Sequence, residues 1–262
     1  DWDGRALLRR FVLSSTYRQS STPSEQTLAV DPGNDLLTRA HRGRRTAEMI
    51  RDGALHAAGL LATKHGGPSV FPYQPPGLWK EKSGKRYPTG RGDDLRRRSL
   101  YTFWKRTSPP PAMSMFDAPT REVCTVARQS TVTPLQTLTL WNDPQFVEVA
   151  VVLGGRAVEA TDSDTARVAY LMRALTSRPP TPAEEGALLT LLAEQRTAFR
   201  SDLAAARALA EFQLEQIAHP SAKEEQPVDG ATLEAQDEMI ERAATAVVAS
   251  ALISLDAAVT RR

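Results

Sequence analysis

The residues best equipped for chemistry lie in one stretch, Arg96 to Asn142, which reads RRRSLYTFWKRTSPPPAMSMFDAPTREVCTVARQSTVTPLQTLTLWN. Guanidinium forks bind carboxylate, sulfate or phosphate bidentately and also stack on aromatic faces. Arg97, Arg98, Lys105 and Arg106 beside Tyr101 and Trp104 therefore suit an anionic sugar or another anion, with Asp117 and Arg121 as the next charges along the chain. These eight residues define the candidate ligand site. The same residues have a plainer reading, an internal network in which Asp117 and Glu122 neutralise arginines that pin long loops. Strand-like alternation along Ser99 to Trp104 would send some of these side chains inward and others outward.

Asp117, Arg121, Cys124 and Arg128 recur every three or four residues and would share a face if 119–128 were helical. A thiolate between arginines is a candidate nucleophile, which makes a hydrolytic or redox-linked catalytic module the alternative to a binding module. No histidine accompanies Cys124 in sequence, so the expectation is a small buried cysteine. His41, His56, His65 and His219 lack metal-ligand spacing, and no metal site is expected. Gly66-Gly67-Pro68-Ser69 lacks the lysine–threonine ending of a phosphate loop and reads as a turn. Trp79, Tyr87, Tyr101 and Trp104 either form a stacking platform or staple irregular loops to a helical base.

The elements that must position these groups are read from periodicity and punctuation. Leu7, Leu8, Phe11 and Val12 oppose Arg5, Arg9 and Arg10 in an opening amphipathic helix. Helix is expected again over Asn34–Ala62, carrying the second arginine cluster of Arg39, Arg42, Arg44, Arg45 and Arg51, until Gly66-Gly67 stops it. Prolines, glycines and aromatics fill 68–95 as a long ordered loop, and SLYTFW at 99–104 reads as a short edge strand. Thr133-Pro134-Leu135-Gln136 and Thr181-Pro182-Ala183-Glu184 both read as capping boxes with a first-turn proline. Helices are expected from Pro144 to Glu159, Asp164 to Thr176, Pro182 to Ile217 with breaks, and Ala231 to Val259. The fold class is mainly α, an irregular helical domain with long ordered loops and at most a small β element. Its expected organisation is a domain over 1–218, a linker over 219–230, and a C-terminal helix in 231–262 packed on the same domain.

With 262 residues, 41% apolar and 24% charged, the chain has an ordinary globular composition. No apolar run approaches the roughly 20 residues of a membrane helix, so no membrane insertion is expected. The net charge of +2 hides an asymmetry: residues 1–130 hold 22 Lys+Arg against 12 Asp+Glu, residues 131–262 hold 11 against 19, giving +10 and −8. Either the basic half meets an anionic ligand or the two halves attract each other. Nucleic acid is the weaker ligand class, given the acidic half and the absence of binding motifs.

The order of LLRRFVLSSTYRQSS, RRTAEMIRDGAL, GGPSV, RRRSLYTFWKRT, FDAPTREVC and TPLQTLTLWNDPQFVEVA resembles the planctomycete-specific domain of unknown function that accompanies planctomycete cytochrome c domains. The resemblance runs from Phe11 to about Pro182. It implies a piece of a large exported multi-domain protein, at the cell surface or in the periplasm, with no settled activity. It also implies an asparagine in relatives where this chain has Val132. The start at Asp1, directly inside a helical pattern, fits such a fragment. No Cys-x-x-Cys-His haem-attachment sequence occurs, so no cofactor is expected in this chain and a haem of the full-length protein would belong to another domain. Three functions follow as expectations: an accessory module binding an acidic carbohydrate or other anion, a catalytic module using Asp117, Arg121 and Cys124, and a scaffold that docks a cytochrome c domain.

Overall fold

A computed structural model describes residues 2–220 and 232–261, so most of the expected linker 219–230 lies outside the described residues. In chain order the elements are helices α1 (Gly4–Leu13) and α2 (Glu25–Val30), strand β1 (Gly43–Arg44), helices α3 (Ala47–Ala57), α4 (Leu78–Ser83), α5 (Pro111–Met115), α6 (Pro134–Asn142), α7 (Pro144–Ala160), α8 (Asp164–Thr176), α9 (Pro182–Ser201), α10 (Leu203–Ala210), α11 (Leu214–Ala218), α12 (Leu233–Ile253) and α13 (Asp256–Val259), and strand β2 (Thr260–Arg261). The chain is mainly α, as its composition and periodicity imply. It divides into two compact units, residues 1–45 with 259–262, and residues 46–258.

In the smaller unit, Asp3 caps α1 by accepting from the Arg5 and Ala6 N–H groups, each at 3.0 Å. The apolar side of α1 faces solvent, with Leu8 64% and Phe11 56% exposed. The helix expected from Asn34 does not start there. Asp31 accepts from the Asp35 and Leu36 N–H groups and the Thr38 hydroxyl, while Asn34 exchanges hydrogen bonds with the Arg39 backbone. Short polar side chains offer the backbone local partners that compete with a helical turn, and here the competitors win until Ala47. The small β element is also found here: β1 pairs antiparallel with β2, Gly43 opposite Arg261 and Arg44 opposite Thr260.

The larger unit is built around α12, which packs most extensively on α7 and then on α9 and α10. Val149, Leu153 and Ala157 of α7, Leu171 and Met172 of α8, Leu192 of α9 and the small face of α12, Ala243, Ala246 and Ala249, are all buried. Small residues let the α7 and α12 backbones approach. At Gly154 an added Cβ would lie 2.8 Å from the Ala246 nitrogen, so any larger residue forces the helices apart. The ion pairs of this region stay within the acidic half: Arg196 and Arg167 share Asp164 and Glu241, and Arg242 pairs with Glu238 and Glu159. Arg96–Glu148 is a pair that does join the basic and acidic halves.

The two Thr-Pro starts behave differently. Thr181 accepts from the Glu184 N–H while the Glu184 carboxylate accepts from the Thr181 N–H, a reciprocal capping box. Thr133 occupies the cap position of α6, yet its side chain makes no cap hydrogen bond. Gln136 does not close the box either; it is buried and donates to the Met115 carbonyl and the Thr131 hydroxyl. A distant loop outcompeted the local partner. Hydrogen bonds from Arg178 and then Thr181 hold the Glu184 carboxyl down at about 2, from 4.5. The folded value lies below the unfolded one, so this stabilisation is complete above pH 4.5 and is lost as pH falls through about 2. In urea titrations at pH 7, Thr181→Ala should cost about 0.5–2 kcal/mol and Thr133→Ala less than about 0.5. Glu184→Gln should flatten the loss of stability between pH 4.5 and 2; equal losses for both threonines would refute this division.

Candidate functional site

The segment carrying the first candidate residues is fixed from beneath by α3. Arg51 is buried and its guanidinium donates to the Gln145 side-chain oxygen, to the Leu95 and Arg97 carbonyls at 2.9 and 2.8 Å, and to the Ser99 hydroxyl at 3.2 Å. The next residue, Asp52, accepts from the Ser99 N–H and hydroxyl at 2.8 and 2.7 Å. Gln145, in the first turn of α7, returns its amide N–H to the Leu95 carbonyl. Burial pulls the Arg51 guanidinium below its usual range, and the Asp52 and Asp143 charges oppose that shift. An arginine remains protonated under such conditions, so a cation sits beneath residues 95–99. Beside it, Arg96 is bound by Glu148, whose hydrogen bond raises the arginine further.

Arg97 is almost fully buried, at 1% exposure. Its two terminal nitrogens donate to the carbonyls of Lys64, Gly66 and Pro68, and its guanidinium lies 3.8 Å from the centre of the Tyr101 ring. Gly66 and Gly67 bend the chain so that the Lys64, Gly66 and Pro68 carbonyls meet this cation, by adopting positive φ of 74° and 86°, the left-handed conformation that glycine enters without a Cβ penalty. The Gly66 N–H donates to the Tyr101 hydroxyl. The glycine turn thus grips an arginine with its carbonyls.

Residues 99–104 do not form the expected edge strand. Ser99–Tyr101 is a short 3₁₀ turn, and only single-residue parallel bridges remain, Ala62 with Arg97 and Val70 with Thr102. The Arg51 and Asp52 bonds to Ser99 hold the chain in that turn, overriding its aromatic strand preference. Phe103 instead stacks on Phe71 at 4.9 Å, and Phe71, Trp79 and Tyr87 meet edge to face. Trp79 and Tyr87 are therefore loop staples. The Tyr87 hydroxyl donates to the Pro72 carbonyl, and burial pushes its pKa up. Lys105 lies 4.3 Å from the Trp79 ring centre, on this cluster.

The remaining candidates belong to a loop, 117–131, whose neck is closed by Asp117 accepting from the Thr131 N–H and hydroxyl. The condition for a shared face, a helix over 119–128, is not met: the segment is a loop, so Asp117, Arg121, Cys124 and Arg128 do not share a helical face. Asp117 and Arg121 both take left-handed φ, 59° and 64°. Aspartate tolerates that region; for arginine it costs about 1–2 kcal/mol and needs compensation. Arg121 finds some on Trp104, with its guanidinium 4.4 Å from the ring centre while the indole N–H donates to the Thr120 carbonyl at 3.0 Å. Arg128 reaches back to Glu48 at 2.6 Å. Cys124 is exposed, contrary to the buried cysteine expected, because the open loop has no core face.

The eight candidates are thus divided among four places. Arg97 and Tyr101 form an internal pin, Lys105 lies on the aromatic cluster, and Asp117 and Arg121 belong to the loop, with Trp104 contacting it from the segment before α5. Arg98 and Arg106 are exposed. The expected network of these arginines with Asp117 does not form, since Thr131 occupies that carboxylate. Among the described residues, Arg98, Arg106 and Arg121 have no carboxylate partner, whereas Arg96, Arg128, Arg167, Arg178, Arg196, Arg207 and Arg242 all do. Sequence reading singled out neither Gln145 nor a groove of about 910 Å³ lined in part by Arg156 and Arg173. The one signal for the groove was a solitary arginine in the apolar run of α7.

The family model described as PSD1, protein of unknown function (DUF1553), matches residues 1–192 of the 262, and the chain belongs to that family. The matched span ends within α9, so α10 to α12 lie beyond it. No curated protein and no solved structure matches the chain.

Two outcomes follow from this geometry. Arg97→Ala strands three carbonyls and the Tyr101 face, and should lower stability by at least about 3 kcal/mol in chemical denaturation, whereas exposed Arg106→Ala should change it by less than about 0.5. Equal effects would mean that Arg97 is not an internal pin. Exposed Cys124 should react with a maleimide in the native protein at a rate close to that after unfolding, and Cys124→Ser should leave the melting temperature unchanged; protection from labelling would contradict the open loop.

Proposed function

We propose that this member of the DUF1553 family is a noncatalytic binding module for an anionic, ring-bearing ligand, with an acidic carbohydrate as the leading class. The observation that carries the reading is Arg121, held in a left-handed backbone conformation with its guanidinium over the Trp104 ring. Strained residues persist where the surroundings over-determine them, and they concentrate at ligand-binding positions. The pair presents charge from the 117–131 loop and an aromatic face from the segment before α5. Arg106, two residues after Trp104, and Arg98 supply further exposed guanidinium groups without a carboxylate partner among the described residues. In this reading Arg97, Tyr101 and Asp117 set the backbone and Lys105 extends the cationic surface.

A binding role is favoured over catalysis because Asp117 is engaged by Thr131 and Cys124 stands on an exposed loop without a base beside it in sequence. A nucleophile needs an activating partner within hydrogen-bond reach. The setting we propose is the one the resemblance implies, an exported multi-domain protein of planctomycete type in which this chain serves a neighbouring domain.

Binding of sulfated and carboxylated oligosaccharides, with neutral ones of equal length as controls, tests the reading by calorimetry. Acidic saccharides should bind saturably and the neutral ones should not. Arg121→Ala and Arg106→Ala should each weaken binding about tenfold or more, the value of a charge-assisted hydrogen bond, and Arg106→Ala should do so with melting unchanged. Absence of saturable binding, or wild-type affinity in both variants, would overturn it.

A further inference from the structure

We propose that the groove lined by the end of α3, the second half of α7 and α8 is a binding site for a small organic anion that joins an acidic head group to an apolar body. Its volume of about 910 Å³ lies within the range of small-molecule sites, roughly 300–1,000 Å³. Leu61 and several alanines supply apolar wall, while His56, Arg156, Tyr170 and Arg173 supply the polar groups; no carboxylate is among the lining residues. A cleft with two guanidinium groups, an imidazole and a phenol beside apolar surface selects for negative charge at one end of a ligand and hydrocarbon at the other.

Arg156 is positioned by the fold. It donates to the Ala57 carbonyl at 3.1 Å, at the end of α3, and lies against Gly59. Gly59 has a positive φ of 73°, and a Cβ there would come within 2.7 Å of the Arg156 guanidinium, so glycine makes room for the cation. One described hydrogen bond leaves most of its five donors for a ligand. The Arg173 guanidinium has no hydrogen bond or ion pair among the described residues, although Arg167 on the same helix is paired with Asp164 and Glu241. Each of the two groove arginines stands near a helix C-terminus, where a cation is mildly stabilising. That accounts for a positive charge at each end; it does not account for two of them lining one uncovered apolar cleft.

This site shares no residue with the Trp104–Arg121 pair, so the two readings stand or fall separately. The test is titration of the full chain with phenyl phosphate, with benzyl alcohol and inorganic phosphate as half-ligand controls, followed by calorimetry and by NMR of the Tyr170 ring. Phenyl phosphate should saturate the site and bind at least about tenfold more tightly than either control, since both ends contribute. Arg173→Gln should weaken it by about fivefold or more with melting unchanged. Gly59→Ala should weaken it by displacing Arg156; because that variant also strains the backbone, Arg156→Lys, which keeps the charge and loses the fork, provides the independent measure. Arg121→Ala should leave phenyl phosphate binding intact. No saturable binding, equal binding by a control, or an Arg173→Gln variant with wild-type affinity would each overturn the proposal.

Discussion

One buried cation fixes the geometry on which the candidate face rests. Arg51 projects from α3 into the gap between that helix and α7, and its donors are consumed by backbone carbonyls of 95–97, by Ser99 and by Gln145. Irregular chain buried against helices has carbonyl groups that no ladder satisfies. A guanidinium supplies several donors in a rigid plane and can satisfy a cluster of them at once, which neither a lysine nor an apolar residue can do. The cost is a desolvated charge, offset by Asp52 and by carbonyl dipoles; once accepted, it determines the path of residues 95–99 and hence where Arg97, Arg98 and Tyr101 go.

The arginines of the basic half therefore serve two physical purposes. Arg51 and Arg97 act inward and bind mainly carbonyl oxygen, in place of the carboxylate network that charge counting suggests. Arg98, Arg106 and Arg121 face outward without a described carboxylate partner. In the acidic half Arg167 and Arg196 follow the more familiar pattern, sharing the carboxylates of Asp164 and Glu241 between helices. Arg196 hydrogen-bonded to Asp164 and Glu241 is raised, and Asp164 is correspondingly lowered.

Local grammar was legible in the sequence wherever the partners were close along the chain. The Thr181–Glu184 box, Asp143 before Pro144 and the helix over 164–176 involve residues within a few positions of one another, and they form as their spacing implies. The misreadings share a different cause. Gln136 joins Met115, Ser99 joins Asp52, and Asp117 joins Thr131; each local preference was displaced by a partner 14 to 47 residues away. Cys124 was misplaced because its burial was inferred from residue type alone, with no signal that Asp117 and Thr131 would tie off an exposed loop around it. For the ligand face, the residue types were legible, but their sorting into pins and exposed groups was not.

The position of α12 in the chain has a consequence for how the protein is made. It completes the larger unit against α7, and Gly154 leaves a notch that only a close-packed helix backbone fills. Helix α7 ends at Ala160 and α12 at Ile253, so roughly 90 residues must follow one before the other is available, on the order of 5–20 s of translation at bacterial-scale rates. During that interval the nascent chain holds a finished helix with its widest apolar flank still wet. Helices α8 to α11 carry seven carboxylates against six arginines over 164–218, so they hydrate the waiting chain through balanced charge, and Arg167 and Arg196 meet Glu241 only when α12 itself arrives.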